Sequence, residues 1–159
     1  MVAYEEIANF IPALTDLLDI AKGQYHQLII WALPPINFDA LQQVGIALEA
    51  SVINLNLELS RRLLELSQRQ WSHKIPALLS DIFNSAGPSA VLLNHIELLF
   101  SKTLQVDPLR CLQQIARHQP VIVIWPGKVN EQHFFYAEPG HPDYVRYPRK
   151  DYLIFSGAL

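Results

Sequence analysis

Four short apolar segments alternate along the chain with longer segments in which apolar residues recur at helical spacing. The apolar segments are residues 27–33, 51–56, 90–94 and 121–125, and the fourth is apolar throughout. Uninterrupted apolar strands are typical of parallel sheets that are covered on both faces. The alternation of such strands with helices therefore predicts an α/β three-layer sandwich with a mostly parallel sheet.

Proline residues help to delimit the predicted helices. Residues 4–21 have helical spacing, and Pro12 inside that pattern predicts a kink or a late helix start. Pro76 is expected in the first turn of a helix that begins near it, because proline is tolerated at that position. Asp107 followed by Pro108 predicts a further helix start, with the aspartate as its cap.

The C-terminal part of the chain has a different sequence pattern from the alternating strands and helices before it. Short aromatic runs at 134–137, 144–147 and 152–155 are separated by Pro and Gly, which indicates edge strands or ordered loops. A length of 159 residues, of which 50% are hydrophobic, fits one domain with a substantial core. We therefore predict a single domain over 1–159, with an N-terminal helix within 1–22 and an irregular, aromatic-rich extension over 128–159.

Composition narrows the class of protein. The net charge is −3, so a globally basic footprint for nucleic acid is absent, although a local patch remains compatible with this charge. The single cysteine, Cys111, excludes an intrachain disulfide and a multi-cysteine zinc site, and we expect it on a buried helix face. The acidic N-terminus predicts no signal peptide, and no apolar run is long enough for a membrane helix. These features predict a cytoplasmic protein.

The most informative segment is the loop that follows the first predicted strand. In nucleotide-binding α/β domains this loop carries glycines that let the backbone wrap a phosphate, and a Lys followed by Ser or Thr. Here it contains neither Gly nor Lys, and Asp39 falls where the Lys would be. At an effective dielectric of about 20, a unit charge pair near 4 Å is worth about 4 kcal/mol, so the reversed charge disfavours a polyphosphate. The loop comprises Leu33, Pro34, Pro35, Ile36, Asn37, Phe38, Asp39 and Ala40.

Several segments carry a resemblance to a known family. The stretches 54–60, 91–100 and 107–110, together with the run Tyr-Ala-Glu-Pro-Gly-His-Pro at 136–142, resemble the BrxF family. BrxF proteins are small P-loop-containing proteins of type three BREX phage-defence systems. The resemblance extends over about residues 26–148, and the 136–142 run is its most specific part.

The resemblance implies an ATPase-like α/β fold of the AAA-related kind. It also implies a role in a multi-protein bacterial system that blocks phage replication and methylates host DNA. Magnesium would be held by an Asp at the end of the third strand, followed by a Glu that orients water, but these positions are Asn94 and His95. Both motifs for nucleotide are therefore degenerate, and we expect no catalytic residue, no metal ion and no cofactor.

The leading interpretation is a non-catalytic, ATPase-like subunit that acts by protein–protein assembly. Its expected partners are other BREX proteins, above all the large ATPase of the system, and a second copy of the chain is a further candidate. One alternative is a nucleotide-binding switch, in which ATP and Mg²⁺ bind an atypical phosphate loop.

A second alternative is a DNA-binding accessory protein of the same system. This alternative is based on the aromatic and basic residues that are interleaved in the tail, where Tyr144, Tyr147 and Tyr152 alternate with positive charge. The residues expected to contact a partner or nucleic acid are Arg110, Arg146, Arg149 and Lys150.

Overall fold

The computed structural model describes residues 3–33 and 36–156. Within them lie helices α1 (Tyr4–Ile7), α2 (Ile11–Lys22), α3 (Phe38–Ala47), α4 (Leu55–Leu63), α5 (Gln68–Ala86) and α6 (Pro108–Ile115). The strands are β1 (Leu28–Ala32), β2 (Ala50–Asn54), β3 (Ala90–Asn94), β4 (Val121–Trp125), β5 (His133–Tyr136), β6 (Val145–Pro148) and β7 (Leu153–Phe155). Short 3-10 turns occupy Ala8–Phe10, Glu97–Phe100 and Arg149–Asp151.

Five strands form one parallel sheet in the order β2-β3-β4-β1-β7. The prediction of an α/β fold with a mostly parallel sheet is confirmed. The fifth strand, β7, pairs with β1 at the sheet edge, with Ile30 opposite Ile154. The aromatic run at 152–155 thus contains an edge strand, which confirms the first of the two alternatives that the sequence pattern indicated.

Helices cover both faces of this sheet. Alternate residues of β1 point to opposite sides, so Ile29 and Trp31 join a core with α1, α2 and α3, whereas Leu28 and Ile30 join a core with α4, α5 and α6. Burial on both sides explains why β1 and β4 are apolar at every position. The second core also receives one face of an antiparallel hairpin formed by β5 and β6.

Of two helix starts that the prolines predicted, the one near Pro76 was wrong and the late start near Pro12 was confirmed. The prediction that a helix starts near Pro76 was wrong, because α5 begins at Gln68 and contains Pro76 in its interior. Its start is held earlier by the Gln70 side chain, whose Oε1 accepts hydrogen bonds from the backbone N–H and the hydroxyl of Ser67 at 3.1 and 3.2 Å. At the N-terminus, a 3-10 turn separates α1 from α2, and Pro12 lies in the first turn of α2.

Candidate functional site

The carboxyl ends of the parallel strands form the edge of the sheet where ligands bind in α/β domains. At this edge β2 and β3 end in register, with Asn54 opposite Asn94. The loop that leads to α3 begins at the carboxyl end of β1. In the sheet, β4 is the one strand that separates β1 from β3. This edge therefore brings together the two segments whose nucleotide motifs the sequence indicated to be degenerate.

The amino end of α3 is occupied by the protein's own side chain. Pro34 and Pro35 lie outside the described residues, but Asn37 adopts extended backbone and its Oδ1 accepts a 2.7 Å hydrogen bond from the backbone N–H of Ala40. A phosphate at a helix amino end would bind these first N–H groups. The Asn37 cap satisfies one of them internally, and Asp39 adds a negative charge in the first helical turn.

The remaining predicted loop residues do not form a cradle. The Phe38 side chain is 69% exposed, Asp39 is exposed, and Ala40 is buried against the sheet. A pocket of about 260 Å³ lies between this loop and α1, and its charged lining residues in the described chain are Glu5 and Asp39. That volume is below the roughly 300–1,000 Å³ of typical small-molecule sites, and two carboxylates disfavour an anionic ligand.

The end of β3 places Asn94 and His95 at the same edge. Asn94 is half-buried as the last residue of β3, and His95 follows in the left-handed backbone region at φ 53°. The exposed His95 ring approaches Glu97, with 3.8 Å between Nδ1 and Oε1. The backbone carbonyl of His95 accepts a 2.8 Å hydrogen bond from the N–H of Asn56, so the turn is tied to the start of α4.

Sequence reasoning missed a polar clamp between β2 and β3. The Asn56 side chain donates from Nδ2 to Glu97 Oε2 at 2.7 Å and accepts at Oδ1 from the backbone N–H of Leu98 at 2.9 Å. The Glu97 carboxylate is therefore bound to the neutral amide of Asn56, which joins the first turn of α4 to the 3-10 turn at Glu97–Phe100. Asn56 and Glu97 are 41 residues apart, so no local sequence pattern could have indicated their contact.

The carboxyl end of β4 is closed by the β5–β6 hairpin. The indole Nε1 of Trp125 donates a 2.8 Å hydrogen bond to the backbone carbonyl of Phe135. A Cβ atom at Gly127 would lie 1.7 Å from that carbonyl oxygen, so only glycine allows the hairpin to approach so closely. Tyr136 stacks on Phe100 at 4.0 Å on the same side.

The hairpin separates the aromatic residues of the tail into two groups. Tyr147 and Tyr152 face inward, with ring centroids 5.2 and 5.1 Å from that of the fully buried Phe134. Burial, followed by the negative charge of Asp107, raises the pKa of both phenols above the usual value. Tyr144 lies in the other group and stacks with Phe135, so the three tyrosines of the tail do not share one face of the hairpin.

The four basic residues predicted to contact a partner or nucleic acid differ in exposure and in their place in the fold. Arg146 on β6 and Lys150 are exposed, whereas Arg149 donates from Nη1 to Asn130 O at 3.0 Å and from Nη2 to Ser156 Oγ at 3.1 Å. Arg110 is exposed on α6, a separate element.

Other candidate chemistry is limited. Cys111 is buried on α6, as expected, and burial followed by Asp107 raises the pKa of its thiol to about 11. Among the described residues there is no cluster of three or more His, Cys, Asp or Glu side chains that could hold a metal ion. In the same part of the chain, no helix is both long and apolar enough to cross a membrane.

Comparison of the chain with models of protein families, with curated proteins and with solved structures gave no match. Function is therefore inferred from the geometry of the chain and from the resemblance of its sequence motifs.

Proposed function

We propose that this protein is a non-catalytic, ATPase-like subunit of a bacterial BREX-type anti-phage defence complex, located in the cytoplasm and acting by protein–protein assembly. Its partners are other proteins of that system, foremost the large ATPase. ATP and Mg²⁺ have no part in its role. The BrxF-like motifs described above are the reason for naming this system.

The order of the parallel strands supports an AAA-related origin of the fold. The strand β4 lies between β1, which leads into the loop at 33–40, and β3, which ends at Asn94. In the AAA-related fold that the BrxF resemblance implies, the phosphate loop follows the first strand and the magnesium position ends the third. The scaffold that would present a phosphate loop and a magnesium position is thus compatible with the observed sheet.

The observation that carries the non-catalytic assignment is the amino end of α3. There the Asn37 side chain accepts the hydrogen bond of Ala40 N–H, and Asp39 contributes negative charge. A triphosphate would have to displace the cap, which is worth about 1 kcal/mol, and also overcome repulsion from Asp39. After the end of β3, where the second nucleotide motif would lie, the Glu97 carboxylate accepts a hydrogen bond from Asn56. This contact also supports a non-catalytic role.

An assembly role also accounts for exposed apolar side chains. Leu57 and Leu64 are 46% and 85% exposed, and their spacing of seven residues along α4 and its C-terminal end places them on about one face. Leu64 also lines an apolar pocket of about 280 Å³, together with Leu63, Trp71, Leu98 and Leu104 among others. Apolar surface of this kind is characteristic of protein-binding sites.

Isothermal titration with ATP and Mg²⁺ tests the non-catalytic half of the proposal. We expect no heat of binding at ATP concentrations up to the millimolar range. Micromolar binding would overturn the proposal and favour the alternative, a nucleotide-binding switch with an atypical loop. In that case Asp39→Asn or Asn94→Ala would change protection against phage, whereas the assembly role predicts that Asp39→Asn has no effect.

Co-purification from a host that carries the whole defence system tests the assembly half. We expect the large ATPase to co-purify with the wild-type chain and to be lost with Leu64→Glu. The matched control is Ile20→Glu, which changes a 52% exposed side chain on α2 in the same way. Equal recovery of the ATPase with all three proteins would contradict the role of the α4 surface, and its absence from the wild-type sample would contradict the assignment to this system.

A further inference from the structure

The outer face of the β5–β6 hairpin carries aromatic rings that the core does not require. Phe134 and Tyr136 point inward from β5, so His133 and Phe135 point outward. Phe135 lies opposite Arg146 across the ladder, and Arg146 is exposed. Neither Phe135 nor Tyr144 belongs to the two apolar cores, although both rings are half-buried against other groups.

These outer rings form a continuous row. The ring centroids of His133 and Phe135 are 6.0 Å apart, and those of Phe135 and Tyr144 are 6.5 Å apart with an angle of 23° between the planes. Half-exposed aromatic rings retain π-faces on which a planar ligand can stack. We define this row, His133, Phe135 and Tyr144 together with Arg146, as the hairpin platform.

A groove of about 670 Å³ continues from the hairpin platform. It is lined by Glu131, Gln132, His133, Pro148, Arg149, Lys150, Tyr152 and Ile154, so His133 belongs to both surfaces. Arg149 is held in place by Asn130 and Ser156, which orients its guanidinium before any ligand arrives. With Arg146, the combined surface carries three cationic side chains and one carboxylate, that of Glu131, in a protein whose net charge is −3.

The alternation of aromatic faces with positive charge fits one ligand chemistry in particular. Bases of single-stranded nucleic acid stack on exposed rings, while their phosphates contact Arg and Lys. In a duplex the bases are already stacked on one another, so the platform would offer it only phosphate contacts. We propose that the hairpin platform and its groove bind single-stranded nucleic acid. This site is separate from the α4 surface proposed for assembly and from the loop at 33–40.

Fluorescence anisotropy with a labelled single-stranded DNA of about 12 nucleotides, within the range of known stacking sites, tests the proposal at low salt. We expect saturable binding, at least about tenfold weaker binding with Phe135→Ala, and rescue by Phe135→Tyr, which restores the ring. Arg146→Ala should reduce the salt dependence by about 0.7 in the slope of log affinity against log salt, the value for one phosphate contact to a single strand.

The chain offers matched controls for both variants. Phe38→Ala removes an exposed aromatic ring on α3, and Arg69→Ala removes an exposed cation on α5, and neither should change the affinity. Thermal unfolding of each variant establishes that the fold is retained. No binding by the wild type at low salt, equal affinity for a duplex of the same length, or equal losses in the control variants would overturn the proposal. None of these results bears on ATP titration or on co-purification of the large ATPase.

Discussion

The described part of the chain contains two sheets that differ in how they are covered. Helices lie against both faces of the five-stranded sheet, so its central strands are buried and apolar on both sides. The β5–β6 hairpin packs only one face on the core, through Phe134, Tyr136 and Tyr147. Its other face keeps Phe135 and Arg146 at the surface, where core packing does not explain them.

The difference separates residues that build the fold from residues that are free for another task. At the carboxyl edge of the large sheet, three asparagine side chains have structural partners within the protein. Asn37 caps α3, Asn54 caps α4, and Asn56 binds Glu97 and Leu98. The uncovered face of the small sheet, in contrast, presents rings and a cation to solvent. Asn37, Asn54 and Asn56 at the carboxyl edge of the large sheet are therefore engaged within the protein, whereas the outer face of the hairpin is available to a ligand.

Substitution of neighbouring phenylalanines on β5 gives the largest contrast between covered and uncovered faces. Phe134→Ala should lower the free energy of unfolding by about 3–5 kcal/mol, because it empties a fully buried position between Trp125, Tyr147 and Tyr152. Phe135→Ala should cost about 1 kcal/mol or less, since only ring contacts at the surface are lost. Urea denaturation measures both values, and equal losses would show that the outer face is also structural.

The joint between the two sheets gives the next largest effect. Gly127→Ala should cost about 3 kcal/mol, because its Cβ would overlap the Phe135 carbonyl oxygen and break the bond from Trp125. Gly23→Ala is the matched control, since its Cβ would meet Ile20 O at an ordinary 3.5 Å. Urea midpoints should shift for the first variant only, and a comparable shift in both would contradict a specific close approach.

The clamp at the edge of the large sheet should contribute less. Asn56→Ala should cost about 2 kcal/mol, because Leu98 N–H and the Glu97 carboxylate lose their partner. Asn56→Asp keeps the acceptor but sets a carboxylate against Glu97, so it should also destabilise the protein above about pH 5. Unfolding curves at pH 7 and pH 4 distinguish these effects. If Asn56→Ala left the stability unchanged, the start of α4 and the 3-10 turn at Glu97–Phe100 would be held together by other contacts.

Burial of Cys111 should give the smallest effect, confined to alkaline pH. The pKa of its thiol in the folded protein, about 11, is above the ordinary value of 9.0. As pH rises from 9 toward 11, the unfolded chain therefore loses this proton while the folded chain keeps it, so stability falls. Below pH 9 the thiol is protonated in both states and contributes no pH dependence.

Comparison with Cys111→Ala isolates this contribution from the buried tyrosines, which titrate at higher pH than usual. The free energy of unfolding of the variant should decline less steeply between pH 9 and pH 11 than that of the wild type. Parallel declines would mean that the thiol is not buried as described.

Many elements were predictable because their signals are local. The strands β1, β2, β3 and β4 coincide with the four apolar runs of the sequence. The Asp107 side chain caps α6 by accepting a hydrogen bond from Arg110 N–H, as the Asp-Pro pair predicted. Pro76 misled because a proline inside a helix and a proline at a helix start have the same local sequence, and the difference depends on how Ser67 and Gln70 anchor the preceding turns. Tyr147 and Tyr152 could not be assigned a side without knowing which face of the hairpin meets the core.

By itself, the sequence determined the alternation of strands and helices, the absence of Gly and Lys from the loop at 33–40, and a neutral residue, Asn94, at the end of the third strand. These are properties of residue type and spacing, which need no partner. Only the tertiary structure decided that Asn56 meets Glu97 and that Phe135 faces outward while Phe134 is buried. The physical reason is that Asn56 and Glu97 are 41 residues apart along the chain, and that the face of the hairpin that meets the core is set by its strand register and by the hydrogen bond from Trp125 to Phe135.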